Sequence, residues 1–160
     1  GEGIRAYSNS KPLPLHGKGL VEGPLAMTPP LVTALYAGLC GVLALVLAIR
    51  VSLHRSKERI DLGDEGNAEL FRTIRVHGNN IESTAIVLVI LAIDEMLGAP
   101  TLAIHVIGAG FFVGRILHAQ GLYKTPGPSF GRIVGQSLTW LAMAVVSFYA
   151  IYLFAVGGRL

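Results

Sequence analysis

Residues 70–97 read LFRTIRVHGNNIESTAIVLVILAIDEML, a segment whose second half suits lipid and whose first half does not. It is long enough to span a bilayer, which takes about 20 mostly apolar residues. Yet Arg72, Arg75, His77, Asn79, Asn80 and Glu82 crowd into its N-terminal half, and the continuous apolar run is Ile86 to Ile93. Such a segment persists in a membrane only where the polar half meets the interface, another helix or water rather than acyl chains. On either side of it the sequence is simpler. Leu31 to Leu53, Leu102 to Leu122 and Ile133 to Val156 are apolar runs of spanning length, too long and continuous for alternating barrel strands. The expected fold is all-α: an integral membrane four-helix bundle.

Composition agrees. Of 160 residues, 52% are hydrophobic and 14% charged, against about a quarter charged in an ordinary soluble domain. The formal charge of +3 does not point to nucleic acid, because Lys and Arg flank the spans instead of forming one stripe. Arg55, Lys57, Arg59, Lys124 and Arg132 surround the first and third connections, and the second (Gly98-Ala99-Pro100-Thr101) has no cation. The positive-inside rule then makes the first and third connections cytoplasmic. Residues 1–26 lack period and the apolar core of a signal peptide. With Met27-Thr28-Pro29-Pro30 resembling a natural start, they are expected to be an added or disordered segment ahead of a single domain, 27–160. Cys40, the one cysteine, lies inside the first span and reads as a small apolar filler.

The polar half of the second span has order. Arg72, Arg75, Asn79 and Glu82 recur at intervals of three, four and three, within an arc of about 80° on a helix. This stripe is costly unless each group is partnered. Arg75 and Glu82 lie about 10 Å apart along the axis, which suggests partners on another helix. Arg115, three residues before His118 in the third span, is the expected partner of Glu82. His77 and Asn80 fall roughly opposite the stripe. Asp94 and Glu95 read as a solvated helix end, and His105 as structural. With Arg132 opening the fourth span and Arg50 and Arg55 closing the first, guanidinium groups from several helices are expected beside the stripe. Such a cluster repels itself unless an anion binds, and Arg suits carboxylates. The plainer alternative is an interhelical clamp with arginines anchored to headgroups.

The run Arg72-Thr73-Ile74-Arg75-Val76-His77-Gly78-Asn79-Asn80-Ile81-Glu82, followed by Gly114-Arg115-Ile116-Leu117-His118-Ala119-Gln120-Gly121, resembles the MAPEG family, the membrane-associated proteins of eicosanoid and glutathione metabolism. The resemblance covers Thr28 to Val156 and is closest to its small bacterial members. It implies a homotrimer of four-helix subunits binding glutathione between subunits near the cytoplasmic face. Arg75, Asn79 and Glu82 would hold the tripeptide, with His77 a further contact. Arg132 would stabilise the glutathione thiolate, and Arg50 or Arg55 would contribute from the first helix. Arg72, Arg115, His118 and Tyr123 complete the expected ligand set. One departure stands out: where family enzymes often carry tyrosine one turn after His118, this chain has Leu122, with Tyr123 one residue off.

The function implied is a glutathione-dependent membrane transferase or peroxidase acting on a hydrophobic electrophile that arrives through lipid. A non-catalytic membrane protein binding a lipid or other anionic ligand is the alternative. A transporter is less well supported, since no inverted repeat or pair of broken spans is visible. Substrate choice is expected to rest on apolar residues such as Phe111, Phe112, Trp140 and Tyr149.

Overall fold

A computed structural model describes residues 29–125 and 127–157. The expectation for residues 1–26 therefore lies outside the described residues. Four helices follow one another: α1 (Leu31–Glu58), α2 (Ala68–Met96), α3 (Thr101–Lys124) and α4 (Phe130–Gly157). All four are long and apolar enough to cross a membrane. At 24 to 29 residues each they extend roughly 36 to 44 Å, beyond the ~30 Å hydrocarbon layer. Their ends consequently reach the headgroup regions.

Local chemistry sets the boundaries. Asn67 caps α2, its side-chain oxygen accepting from the Glu69 and Leu70 N–H groups at 3.0 Å each, which satisfies two donors that a helix start leaves free. α1 closes on Arg59 in the left-handed conformation (φ 57°), and the following loop turns through Gly63 (φ 68°) and Gly66 (φ 80°). The N-terminus of α1 has no cap of its own. Glu95, at the far end of α2, accepts from Val32 N at 2.8 Å and Thr33 N at 2.7 Å. A carboxylate on a helix N-terminus meets both the free donors and the positive end of the helix dipole. This corrects the expectation of a solvated end: Glu95 and Asp94 are buried, and Glu95 ties α2 to α1. His105 is structural as expected, its Nδ1 lying 3.0 Å from the Tyr36 hydroxyl.

Packing follows a rhombus. α2 and α3 contact each other and both outer helices, whereas α1 and α4 make no close approach. One core layer takes Cys40, Val87, Phe111 and Ala142, one residue from each helix. Cys40 is thus the filler expected, and Phe111 is core rather than lipid-facing. The most extensive pairing is α3 with α4, and small residues explain it. A Cβ at Gly135 would overlap the His118 backbone nitrogen, and one at Gly121 would overlap that of Arg132. These two glycines let the backbones meet.

Candidate functional site

That close approach shapes the end of the bundle carrying the first and third connections, here called the basic end. With Gly121 against Arg132 and Gly135 against His118, the start of α4 is drawn onto the last turns of α3. His118 Nδ1 lies 3.2 Å from the Arg132 carbonyl oxygen. A carbonyl only accepts, so Nδ1 carries the proton, and in the neutral ring Nε2 remains an acceptor.

Between α2 and α4, over the end of α3, opens a cleft of about 960 Å³. Its polar lining comes from Arg72, Arg75 and Asn79 on α2, His118 on α3, and Arg132, Gln136 and Ser137 on α4; Phe71, Leu122, Ile133 and Trp140 supply much of the apolar wall. Among the described residues no carboxylate lines it. Arg132 and Arg72 form no ion pair among the described residues, and the Nε of Arg72 is enclosed without a hydrogen-bond partner. Three guanidinium groups therefore border one volume with little internal compensation, an arrangement suited to an anion.

Behind Asn79 lies a buried polar network. Arg115 is fully enclosed; its Nη2 donates to Asn79 Oδ1 at 2.9 Å, its Nε to Asn80 Oδ1 at 3.2 Å and its Nη1 to Thr139 Oγ1 at 3.3 Å. The Thr139 hydroxyl in turn donates to the Gly135 carbonyl at 2.9 Å. Helices α2, α3 and α4 are thereby joined just beneath the cleft.

Several expectations change here. Arg115 does not pair with Glu82, because it points into the interior toward the two asparagines, and Glu82 faces outward with 63% of its side chain exposed. Glu82 meets Arg75 instead, Oε1 to Nη1 at 3.8 Å; two long side chains reaching along the axis bridge the two turns that seemed too far. Asn80 lies inside the bundle, and Arg115 reaches the cleft only through Asn79. His77 does not line the cleft, and its Nδ1 is enclosed with no hydrogen-bond partner.

The first-helix arginines lie elsewhere. Arg50 stacks on the Tyr123 ring, 5.0 Å from its centroid, in a smaller groove of about 250 Å³ shared with His54, Lys57, Glu69 and Thr73. Arg55 donates to the Asp61 carbonyl at 3.2 Å. The α2–α3 pair separates these groups from the α2–α4 cleft, so within one subunit Arg50, Arg55 and Tyr123 are not beside the stripe. Gln136 and Thr139 went unread in the sequence. The signal for Gln136 was the interval of four that sets Arg132, Gln136 and Trp140 on one face of α4, and Thr139 lies seven residues after Arg132 on nearly the same face.

The MAPEG family model matches residues 33–152, a span that holds every residue lining the cleft. The chain belongs to the MAPEG family. It is 34% identical over 116 residues to inner membrane protein YecN of Escherichia coli K12, covering 72% of this chain and 87% of that protein. It is also 33% identical over 114 residues to the uncharacterized protein sll1147 of Synechocystis sp., covering 71% and 80% respectively. This MAPEG chain is accordingly an integral, multi-pass membrane protein. Its MAPEG motif is divided by the fold: Arg72, Arg75 and Asn79 face the cleft, Asn80 the interior, and Glu82 the outer face of α2.

Proposed function

We propose that this protein binds glutathione in the α2–α4 cleft and joins its thiolate sulfur to a hydrophobic electrophile, displacing the electrophile's leaving group, or uses two glutathione molecules to reduce a hydrophobic peroxide to the alcohol and water, leaving glutathione disulfide. The carrying observation is the union of Arg72, Arg75, Asn79 and Arg132 with an apolar wall at one end of a membrane bundle. Glutathione bears two carboxylates, which match guanidinium and amide donors. Its thiol, ordinarily near pKa 8.5, becomes a better nucleophile when a cation lowers that value. Arg132 supplies such a cation without exchanging a proton itself. Trp140 and Ile133, both exposed, form the side from which a lipid-soluble substrate enters, and the basic end faces the cytoplasm and its glutathione.

The working unit in this reading is a homotrimer. Glu82 stands at the midpoint of α2, fourteen residues from either end, with most of its side chain uncovered in one subunit. A carboxylate there is costly against lipid, whereas a neighbouring copy or a watery interface accommodates it. A monomeric protein mass by light scattering in mild detergent would sink this part.

Leu122 favours a second reading, a non-catalytic membrane protein that binds an anionic ligand or lipid. It borders the cleft where family enzymes often have tyrosine, and Tyr123 is turned toward Arg50. Conjugation of 1-chloro-2,4-dinitrobenzene separates the two. Glutathione-dependent turnover that is lost in Arg132→Ala supports the enzyme; saturable glutathione binding with no conjugation and no peroxide reduction supports the binder.

A further inference from the structure

Arg115 is fully buried in a membrane bundle, yet among the described residues it forms no ion pair with a carboxylate. Its three hydrogen-bond partners, Asn79, Asn80 and Thr139, are all neutral. If the residue served only to clamp helices, an apolar side chain of similar volume would do so without a buried charge. What the guanidinium does that an apolar residue cannot is dictate which way an amide faces.

Arginine has five donors and no acceptor. The asparagine atom turned toward it must therefore be the carbonyl oxygen, and Arg115 Nη2 holds Asn79 Oδ1 at 2.9 Å. The Nδ2 group is then turned away from Arg115. Asn79 also lines the α2–α4 cleft, so the part of its amide left for a ligand is the donor part. Alone, an asparagine would offer a ligand either face, since the two are nearly isosteric. Arg115 removes that choice, and its charge polarises the amide so that the outward N–H groups donate more strongly. Thr139 cannot compete for the role, because its proton is committed to the Gly135 carbonyl.

We propose that Arg115 is a positioning residue that locks the Asn79 amide with its N–H groups toward the cleft, so that the site accepts a carboxylate and rejects the corresponding carboxamide. The proposal deepens the glutathione reading above and rests on it for the identity of the ligand. It assigns the chemistry of the Asn79 subsite: with Arg72, Arg75 and Arg132 also pure donors, this end of the cleft presents donors to the ligand's anionic group.

The test uses the full chain in detergent, titrated calorimetrically with glutathione and with its two monoamides, one at each carboxylate. Wild type should prefer the free acid over one of the monoamides by about tenfold or more, the size of a hydrogen bond to a charged group. Arg115→Lys keeps the charge and loses the planar fork, so Asn79 can turn, and the preference should shrink to within about threefold. Asn79→Asp keeps an acceptor for Arg115 and should fold, but it puts oxygen toward the cleft and should invert the preference. If Arg115→Lys weakens glutathione and both monoamides by one common factor, Arg115 merely holds the bundle together. If Asn79→Asp retains the wild-type preference, Asn79 does not meet the anion; either result overturns the proposal. Should wild type bind no glutathione, the functional reading fails by itself, and the lock is read from side-chain amide spectra of 15N-asparagine protein, which has four asparagines. One sharp Asn79 NH2 pair that broadens or doubles in Arg115→Lys supports the lock, and identical spectra refute it.

Discussion

The two grooves at the basic end contain similar residues and differ in what those residues do with their charge. In the α1 groove Arg50 is spent on Tyr123, Glu69 stands among the cations, and nearby Arg55 is held by a loop carbonyl. In the α2–α4 cleft, among the described residues, Arg72 and Arg132 have no ionic partner and no carboxylate lines the wall, and the volume is nearly four times larger, about 960 against 250 Å³. Both flank the same α2–α3 pair, so membrane depth does not distinguish them. The lesson is that an arginine beside a span is uninformative until its partners are known; an uncompensated one beside open volume marks where a ligand's charge belongs.

The contrast can be broken most severely at its geometric origin. Gly135→Val places a branched side chain where the His118 backbone passes, and overpacking of this kind costs about 1 to 3 kcal/mol, occasionally more. It should lower the unfolding temperature and abolish glutathione binding together, because α4 and Arg132 move off α3. Gly110→Val, at a position with nothing near the added Cβ, is the control, and equal damage from both would remove the close approach from the account.

The next effect is confined to the cleft. Arg75→Ala should weaken glutathione by about ten- to a hundredfold, the loss of 1.5 to 3 kcal/mol expected for a hydrogen bond to a charged group. Arg50→Ala is its counterpart across the α2–α3 pair. Losing a stacked cation there costs about 0.5 to 1 kcal/mol of stability and should leave glutathione affinity within about threefold. A loss as large as that of Arg75→Ala would show that Arg50 reaches a ligand from a neighbouring subunit, and the comparison would then hold for one chain but not for the assembly.

The smallest effect belongs to the opposite end. Glu95→Gln retains one acceptor oxygen for the α1 N-terminus but removes the charge, and should lower thermal stability by about 1 kcal/mol with glutathione affinity unchanged. A change in affinity there would couple the two ends and contradict their separation.

How far the sequence alone reaches is clear from particular residues. The spans, their order and the placement of Arg72, Arg75 and Asn79 on one face of α2 were legible because helical period and lipid burial are local constraints. Arg132 could be placed with them because it opens the fourth span on the same face. The pairing of Arg115 is not legible: charge complementarity points to Glu82, whereas the fold satisfies the guanidinium with Asn79, Asn80 and Thr139. Nor was the order of helices around the rhombus, which alone decides that Arg50 and Arg132 stand on opposite sides. Glu95 escaped for a similar reason, since capping another helix leaves no spacing in the sequence.

The central claim is that the uncompensated cleft binds glutathione, and calorimetric titration of glutathione into the detergent-solubilised wild type and Arg132→Ala tests it most directly. The account predicts saturable binding by wild type, with the thiolate absorbance of the bound ligand appearing at lower pH than in Arg132→Ala. No saturable binding by a correctly assembled wild-type protein would contradict it.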